Sequence, residues 1–193
     1  MKTPHNHYVS VLMPAYNCEK YVRQAIECIL NQTYTNIELL IADDASKDNT
    51  RKVIDSYRDP RIKRFHNNEN IGYLKTWNKL ISKAKGDYIT FLDADDTCEL
   101  NRIVILVSEF EKNPELGACG SNFKRIDETG MFLFKSDFAL THDKIIAKIP
   151  HFDIVGSSLM IKKEVYEQIG GYNEYFDRIG AEDFYWIFLI SEK

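Results

Sequence analysis

The sequence predicts an α/β domain: a doubly wound, mainly parallel sheet flanked by helices, with a smaller antiparallel portion later in the chain. Two observations carry this. Strand-like and helix-like stretches alternate through the first half, and the runs at 37–42 and 88–92 are almost wholly apolar, as strands covered on both faces must be. A third observation concerns the ligand edge. Both runs end in acidic residues, Asp43-Asp44 and Asp93-Ala94-Asp95-Asp96, and open α/β sheets bind ligands beyond the carboxyl ends of their strands.

The elements follow in order. Residues 9–13 alternate and are rich in β-formers, giving a first strand that Pro14 ends and Tyr16-Asn17 turn away from. In 19–31, Tyr21, Val22, Ala25, Ile26, Ile29 and Leu30 recur at helical spacing. The second strand, 37–42, is broken only by Glu38, and Ser46-Lys47-Asp48-Asn49 supplies turn and cap residues for a helix over 50–57. A third strand is expected at 61–66, a helix at 73–84, a turn at Lys85-Gly86-Asp87, a fourth strand at 88–92 and a helix at 102–113 stopped before Pro114. The second half is less regular. It reads as a strand at 117–123 with 131–134 as hairpin partner, a helix at 142–149, a strand at 157–161, a short helix at 163–169 and a break at Gly170-Gly171. Residues 183–190 are aromatic and apolar all round, as in a buried helix. The sequence stops almost at once after them, which reads as a truncated domain.

Composition narrows the function classes. The 193 residues suffice for one domain with a real core. A net charge of −4 with no basic block argues against nucleic acid as a partner. Cys18, Cys28, Cys98 and Cys119 are scattered, with no Cys-x-x-Cys pair, so free thiols in a reducing compartment are expected rather than a zinc site or disulfide framework. No apolar run reaches membrane-spanning length, and the start lacks a signal core. His5 and His7 fall in a polar N-terminus expected to be disordered over 1–7, and His66, His142 and His151 lack partners at ligand spacing.

Crowded carboxylates repel one another unless solvated, protonated or neutralised by a cation. Hard divalent ions such as Mn²⁺ or Mg²⁺ take one or two carboxylates plus phosphate oxygens, so Asp93–Asp96 suits a metal-bound phosphorylated ligand. The same residues also suit an acidic turn capping the next helix through Asp96 or Thr97. Asp43 and Asp44 suit either a solvated turn or acceptance from a ribose hydroxyl or uracil imide. The two acidic runs are expected on neighbouring strand ends. Glu182-Asp183 suits a helix N-terminus or a general base. Trp77, Trp186, Tyr185 and Phe184 read as core.

Several motifs together resemble the large inverting glycosyltransferase family 2, whose members have the GT-A fold. They run from Val9 to about Ile190: Val9 to Asn17; Gln32-Thr33-Tyr34 with Ile37 to Asp48; Asn70-Ile71-Gly72; Lys85 to Ile89; Leu92 to Asp96 as an Asp-x-Asp motif; and Ile169 to Glu174 with Glu182-Asp183. The resemblance implies a single domain over 8–193, with a nucleotide-binding half at 8–97 and an acceptor-side half at 98–193. It implies that Pro14, Ala15 and Tyr16 line the nucleotide pocket and Asp44 bonds the base, commonly uracil. Asp93 and Asp95 would face the ribose and a metal-bound diphosphate, with Asp95 and Asp96 as metal ligands. Asp183 would take the acceptor proton. Thr76-Trp77-Asn78 departs from the family's Ala-Arg-Asn, leaving Lys75 to supply a basic contact. The implied activity moves a sugar from a nucleotide-sugar, UDP-linked, to a saccharide or lipid-linked acceptor, using Mn²⁺ or Mg²⁺, in the cytoplasm or at the inner membrane face. Two other readings compete: a metal-dependent nucleotidyltransferase and a non-catalytic sugar-nucleotide-binding module. The loop Pro14 to Glu19 lacks the glycines and basic residues a triphosphate site would prefer.

Overall fold

The computed structural model describes residues 6–139, 141–147, 155–177 and 179–192. The chain runs β1 (Val9–Ala15), α1 (Val22–Leu30), β2 (Ile37–Asp43), α2 (Thr50–Ser56), β3 (Ile62–His66), α3 (Tyr73–Ile81), β4 (Tyr88–Phe91) and α4 (Arg102–Lys112). It continues through β5 (Ala118–Cys119), β6 (Lys124–Ile126), β7 (Phe132–Lys135), α5 (His142–Ala147), a 3₁₀ turn (Gly156–Ser158) and β8 (Met160–Lys162). It then adds α6 (Lys163–Ile169), a second 3₁₀ turn (Glu174–Phe176) and α7 (Glu182–Ser191).

Six strands form one sheet in the order β3-β2-β1-β4-β8-β5. The first four are parallel, and β8 runs antiparallel to both β4 and β5. Successive strand residues point to opposite faces, so β1 feeds two cores. Val9, Val11 and Met13 pack with α1 and α4 residues such as Ile26, Ile29, Ile103 and Val107. Leu12 packs with Leu74, Trp77, Phe91 and Trp186 on the other face. Burial on both sides explains why β2 and β4 read as continuous apolar runs.

Glu38, the polar interruption of β2, is itself buried. Its Oε1 accepts from the Ser10 hydroxyl at 2.7 Å and the Lys85 amide at 2.8 Å, while the Gly86 amide donates to Ser10 Oγ at 2.8 Å. This knot fixes the entry to β4. Residue 86 must be glycine, because a Cβ there would stand 2.5 Å from Ser10 N and 2.6 Å from Tyr88 O.

Several expectations change. The acidic runs are not on neighbouring strand ends: β1 lies between β2 and β4, so its end forms the floor between them. The strand expected at 117–123 is split. Ala118–Cys119 joins the main sheet, and Lys124–Ile126 makes the hairpin with Phe132–Lys135, because the turn-forming Gly120-Ser121-Asn122 interrupts the run. The strand expected at 157–161 begins as a 3₁₀ turn and becomes β8 only at Met160. The helix expected at 19–31 starts at Val22 after a turn. The last helix is not buried all round: Trp186 and Ile187 are buried, whereas Phe188 is 42% exposed. Residues 148–149 of the helix expected at 142–149, and 1–5 of the expected disordered N-terminus, lie outside the described residues. His7 is held in the fold, its carbonyl accepting from Tyr34 Oη at 2.6 Å and Asn36 Nδ2 at 3.1 Å. No helix among the described residues is long and apolar enough to cross a membrane.

Candidate active site

A cleft of about 520 Å³ opens at the carboxyl edge of the parallel strands. The end of β1 supplies Pro14, Ala15 and Tyr16, the end of β2 supplies Asp44, and the turn after β4 supplies Asp93 and Asp95. These six sequence candidates are therefore brought together. Two are not. Lys75 is exposed on α3 and Asp96 is exposed on the acidic turn, and neither lines the cleft. Instead α3 presents Tyr73 and Thr76.

Asp44 is buried and already well engaged. Oδ1 accepts from Asn67 Nδ2 at 2.7 Å and the Ile71 amide at 3.0 Å, and Oδ2 accepts from the Gly72 amide at 3.0 Å. An ionised carboxylate has about four acceptor positions, so these donors leave room for one more. Asp44 thus shapes the wall made by Asn70-Ile71-Gly72 as well as facing the cleft. Its neighbour Asp43 points away and accepts from the Ser46 amide at 3.3 Å.

The acidic turn is closed by the Asp96 amide donating to Asp93 O at 3.1 Å. Burial, reinforced by the negative charge of Asp96, Asp95 and Asp183, raises the Asp93 carboxyl to about 7. Asp96 is exposed as a residue, but its carboxyl is partly shielded from water, and this loss of solvation and the Asp95 charge raise its pKa, opposed by the Arg102 guanidinium and a hydrogen bond from Ser157. Arg102 is buried beneath the turn, with Nη2 donating to Thr90 Oγ1 and Ser157 O, both at 3.1 Å. Among the described residues no three His, Cys, Asp or Glu side chains converge tightly enough to enclose a metal. The fit is to a different arrangement. One or two oxygens of this self-repelling turn can ligate a hard cation whose other ligands are phosphate and water.

A second, smaller cavity of about 120 Å³ shares Tyr73 and Asp93 with the cleft and contains Gly156, Tyr172, Glu182 and Asp183. Asp183 Oδ2 accepts from the Gly156 amide at 3.1 Å, and Oδ1 accepts from Tyr172 Oη at 3.2 Å. A Cβ at residue 156 would collide with this carboxylate. Burial raises the Asp183 pKa and Glu182 adds to the rise, against the stabilising bonds from Gly156 and Tyr172. Glu182 Oε1 accepts from Tyr73 Oη at 2.5 Å. Tyr172 is fixed from behind by Asn78, which donates to Tyr172 O at 2.9 Å and accepts from its amide at 2.8 Å. Its ring lies 4.6 Å from that of Trp186, which in turn meets Phe91 at 5.6 Å. Of the aromatics expected in the core, Trp77 and Trp186 are buried and Trp77 lines this cavity, whereas Phe184 and Tyr185 are only half-buried.

Sequence reasoning missed Tyr73 and Gly156, and held Tyr172 only as part of the Ile169 to Glu174 motif, with no role of its own. Tyr172 followed the visible Gly170-Gly171 break, and Tyr73 followed Gly72; nothing local marked Gly156. Among the described residues three non-glycine positions, Asn17, Ala45 and Ala181, have positive φ, of +51°, +57° and +69°. Each stands next to a site residue: Tyr16, Asp44 or Glu182. Such strained backbone collects at functional sites.

A sequence profile of Glycosyl transferase family 2 matches residues 10–170. The chain belongs to glycosyl transferase family 2. It is 35% identical over 128 residues to the glycosyltransferase GlyG of Streptococcus pneumoniae, covering 65% of this chain and 42% of that protein. It is 33% identical over 142 residues to WfgD of Escherichia coli, a UDP-Glc:alpha-D-GlcNAc-diphosphoundecaprenol beta-1,3-glucosyltransferase, covering 73% of this chain and 56% of that one. The chain thus spans less than two thirds of either relative. Its fold is GT-A. Residues 1–349 of S. aureus TarS superpose with a TM-score of 0.73 at 20% identity, over 95% of this chain and 55% of that one. The same TarS fragment has been solved with UDP-GlcNAc, matching at a TM-score of 0.67 and 19% identity over 86% and 48% of the two chains.

Proposed function

We propose that this family 2 domain is the donor and acceptor core of a metal-dependent, inverting glycosyltransferase. It moves a sugar from a nucleotide-sugar, of the UDP class, to a hydroxyl of a saccharide or lipid-linked acceptor. The observation that carries the reading is Asp93, the shared wall of two adjoining cavities: one with the build of a nucleotide cleft, the other holding a carboxylate with a raised pKa. A sugar transferred between cavities must cross that wall. The donor class is supported by the UDP-linked donor in WfgD's name and by the TarS complex with UDP-GlcNAc. Metal use is supported by the self-repelling aspartates and by a fold relative, the mannosyltransferase PcManGT of Pyrobaculum calidifontis, solved with GDP-Man and Mn²⁺.

The roles follow from position. Pro14, Ala15 and Tyr16 form the floor under the nucleoside, and Asp44 offers its remaining acceptor position to the base. Asp93 faces the ribose and the sugar. Asp95, which lines the cleft, would hold Mn²⁺ or Mg²⁺, with Asp96 joining only if its side chain turns in from the exposed face of the turn; the metal when bound offsets charge on the departing diphosphate. Asp183, oriented by Gly156 and Tyr172, takes the proton of the acceptor hydroxyl as that oxygen attacks the anomeric carbon. A single displacement inverts its configuration. The raised pKa makes Asp183 a stronger base than an ordinary solvated carboxylate. The cytoplasmic face of a membrane, where lipid-linked acceptors are presented, is the setting this reading favours.

The test is a thermal-shift and calorimetric screen of nucleotides and sugar nucleotides with Mn²⁺. Selective stabilisation by a UDP-sugar is expected, on the order of 2–4 kcal/mol at 100 to 1,000 times Kd. Equal responses to all nucleotides, or none, would sink the proposal.

A further inference from the structure

The four cysteines are not equally scattered once the chain is folded. Cys28, in the last turn of α1, and Cys98, just after the acidic turn, lie 70 positions apart in sequence with their Sγ atoms 3.6 Å apart. Both cysteines are free and neither is fully buried. Cys18 is buried, and Cys119 directs its Sγ to Leu106 O at 3.8 Å. Sulfur atoms in van der Waals contact need to approach by only about 1.5 Å to bond.

The segment that carries Cys98 is tied to the same helix by Gln32. Its Nε2 donates to Cys28 O at 3.1 Å, to Cys98 Sγ at 3.4 Å and to Glu99 O at 2.8 Å, while Oε1 accepts from the Ile103 amide at 3.0 Å. Thr33 adds an amide bond to Leu100 O at 2.8 Å. These contacts hold the pair together without a covalent bond. Because Gln32 and Thr33 pin the chain beyond Cys98 at Glu99, Leu100 and Ile103, a movement of Cys98 toward Cys28 falls on the residues just before it, the end of the acidic turn.

We infer that Cys28 and Cys98 are a redox-responsive pair whose oxidation to a disulfide pulls the acidic turn toward α1 and weakens nucleotide binding. The oxidant is a low-molecular-weight disulfide, RSSR. One thiolate attacks it, forming a mixed disulfide and releasing one RS⁻. The second cysteine then loses its proton, attacks the first Sγ and releases another RS⁻. The balance is two protein thiols and RSSR to one protein disulfide and two RSH, with two electrons passing from protein to reagent. The cross-link itself is independent of the glycosyltransferase reading, whereas its effect on the donor rests on it.

The test uses the whole chain with oxidised glutathione, followed by alkylation, digestion and mass spectrometry. The expected product is an intramolecular peptide linking Cys28 to Cys98, reversed by dithiothreitol and absent from Cys28→Ser and from Cys98→Ser. An intermolecular link, a link through Cys18 or Cys119, or a persistent glutathione adduct with no internal bond would overturn the inference. Calorimetry with UDP and Mn²⁺ then separates the two claims. Cross-linked protein is expected to bind UDP at least about fivefold more weakly than reduced protein, with oxidised Cys28→Ser unaffected. Unchanged affinity in the cross-linked protein would refute the regulatory effect. Absence of UDP binding by the reduced protein would instead sink the donor assignment, leaving the cross-link to be judged from the peptides alone.

Discussion

Asp183 and Asp93 are both buried carboxyls, and their surroundings give them different pH behaviour. Asp183 is oriented by two donors and must be ionised to accept a proton. Its raised pKa means that activity should fall as pH drops through that value, and Asp183→Asn should remove this limb of the profile. The same substitution should lower kcat about 10²- to 10⁴-fold with UDP affinity unchanged, as steady-state kinetics and calorimetry would show. A full rate would exclude the base role. Asp93 affects stability instead. Its folded-state pKa of about 7 exceeds the unfolded value, so the folded chain holds the proton more tightly. The contribution of Asp93 to stability is therefore fullest below about pH 4 and declines as pH rises through about 7. Asp93→Asn should raise metal-free stability at about pH 8.5 by roughly 1–3 kcal/mol and change little at about pH 4, since a tenfold difference in proton affinity between the folded and unfolded chain is worth ~1.4 kcal/mol. Denaturant titrations at the two pH values would check it, and a loss of stability at high pH would refute the electrostatic account.

At the scale of elements, the entry to β4 depends on backbone groups packed against one another. Gly86→Ala should destabilise the chain by about 3 kcal/mol or more, because the atoms it meets are backbone and cannot swing aside. Wild-type stability in urea titrations would disprove this. The parallel half was legible from sequence because its signals are local: apolar strands, helical spacing and acidic strand ends. The antiparallel half was less so. Ala118–Cys119 and β8 are two- and three-residue strands, too short for alternation to register, and only pairing across the sheet defines them. For the site, Pro14 to Tyr16, Asp44, Asp93 and Asp95 were visible because strand ends place them together. Lys75 lies outside the cleft lining: helical spacing turns Tyr73 and Thr76 toward the cleft and leaves Lys75 exposed. Gly156 and Tyr172 act on Asp183 from across the fold, a relation no local pattern encodes. The contact between Cys28 and Cys98 is of the same kind.

For the molecule as a whole, stability should be graded from the sheet centre outward. β1 is buried and paired on both sides, whereas β6 and β7 pair only with each other and leave Phe132, Leu133 and Phe134 exposed. Isolated hairpins are marginal, so amide exchange should be slowest in β1, β2 and β4 and fastest in β6 and β7. Equal protection across both sheets would contradict this order. The antiparallel direction of β8 has a further consequence. A parallel strand would be entered from the far edge of the sheet after a crossover, but β8 is entered from the ligand edge, where Gly156 meets Asp183. β5 and β8 therefore open and close an insertion at the ligand edge, and among the described residues its β6-β7 hairpin shares no strand pairing with the main sheet. Changes of length or composition in that hairpin should leave the register of the four parallel strands untouched.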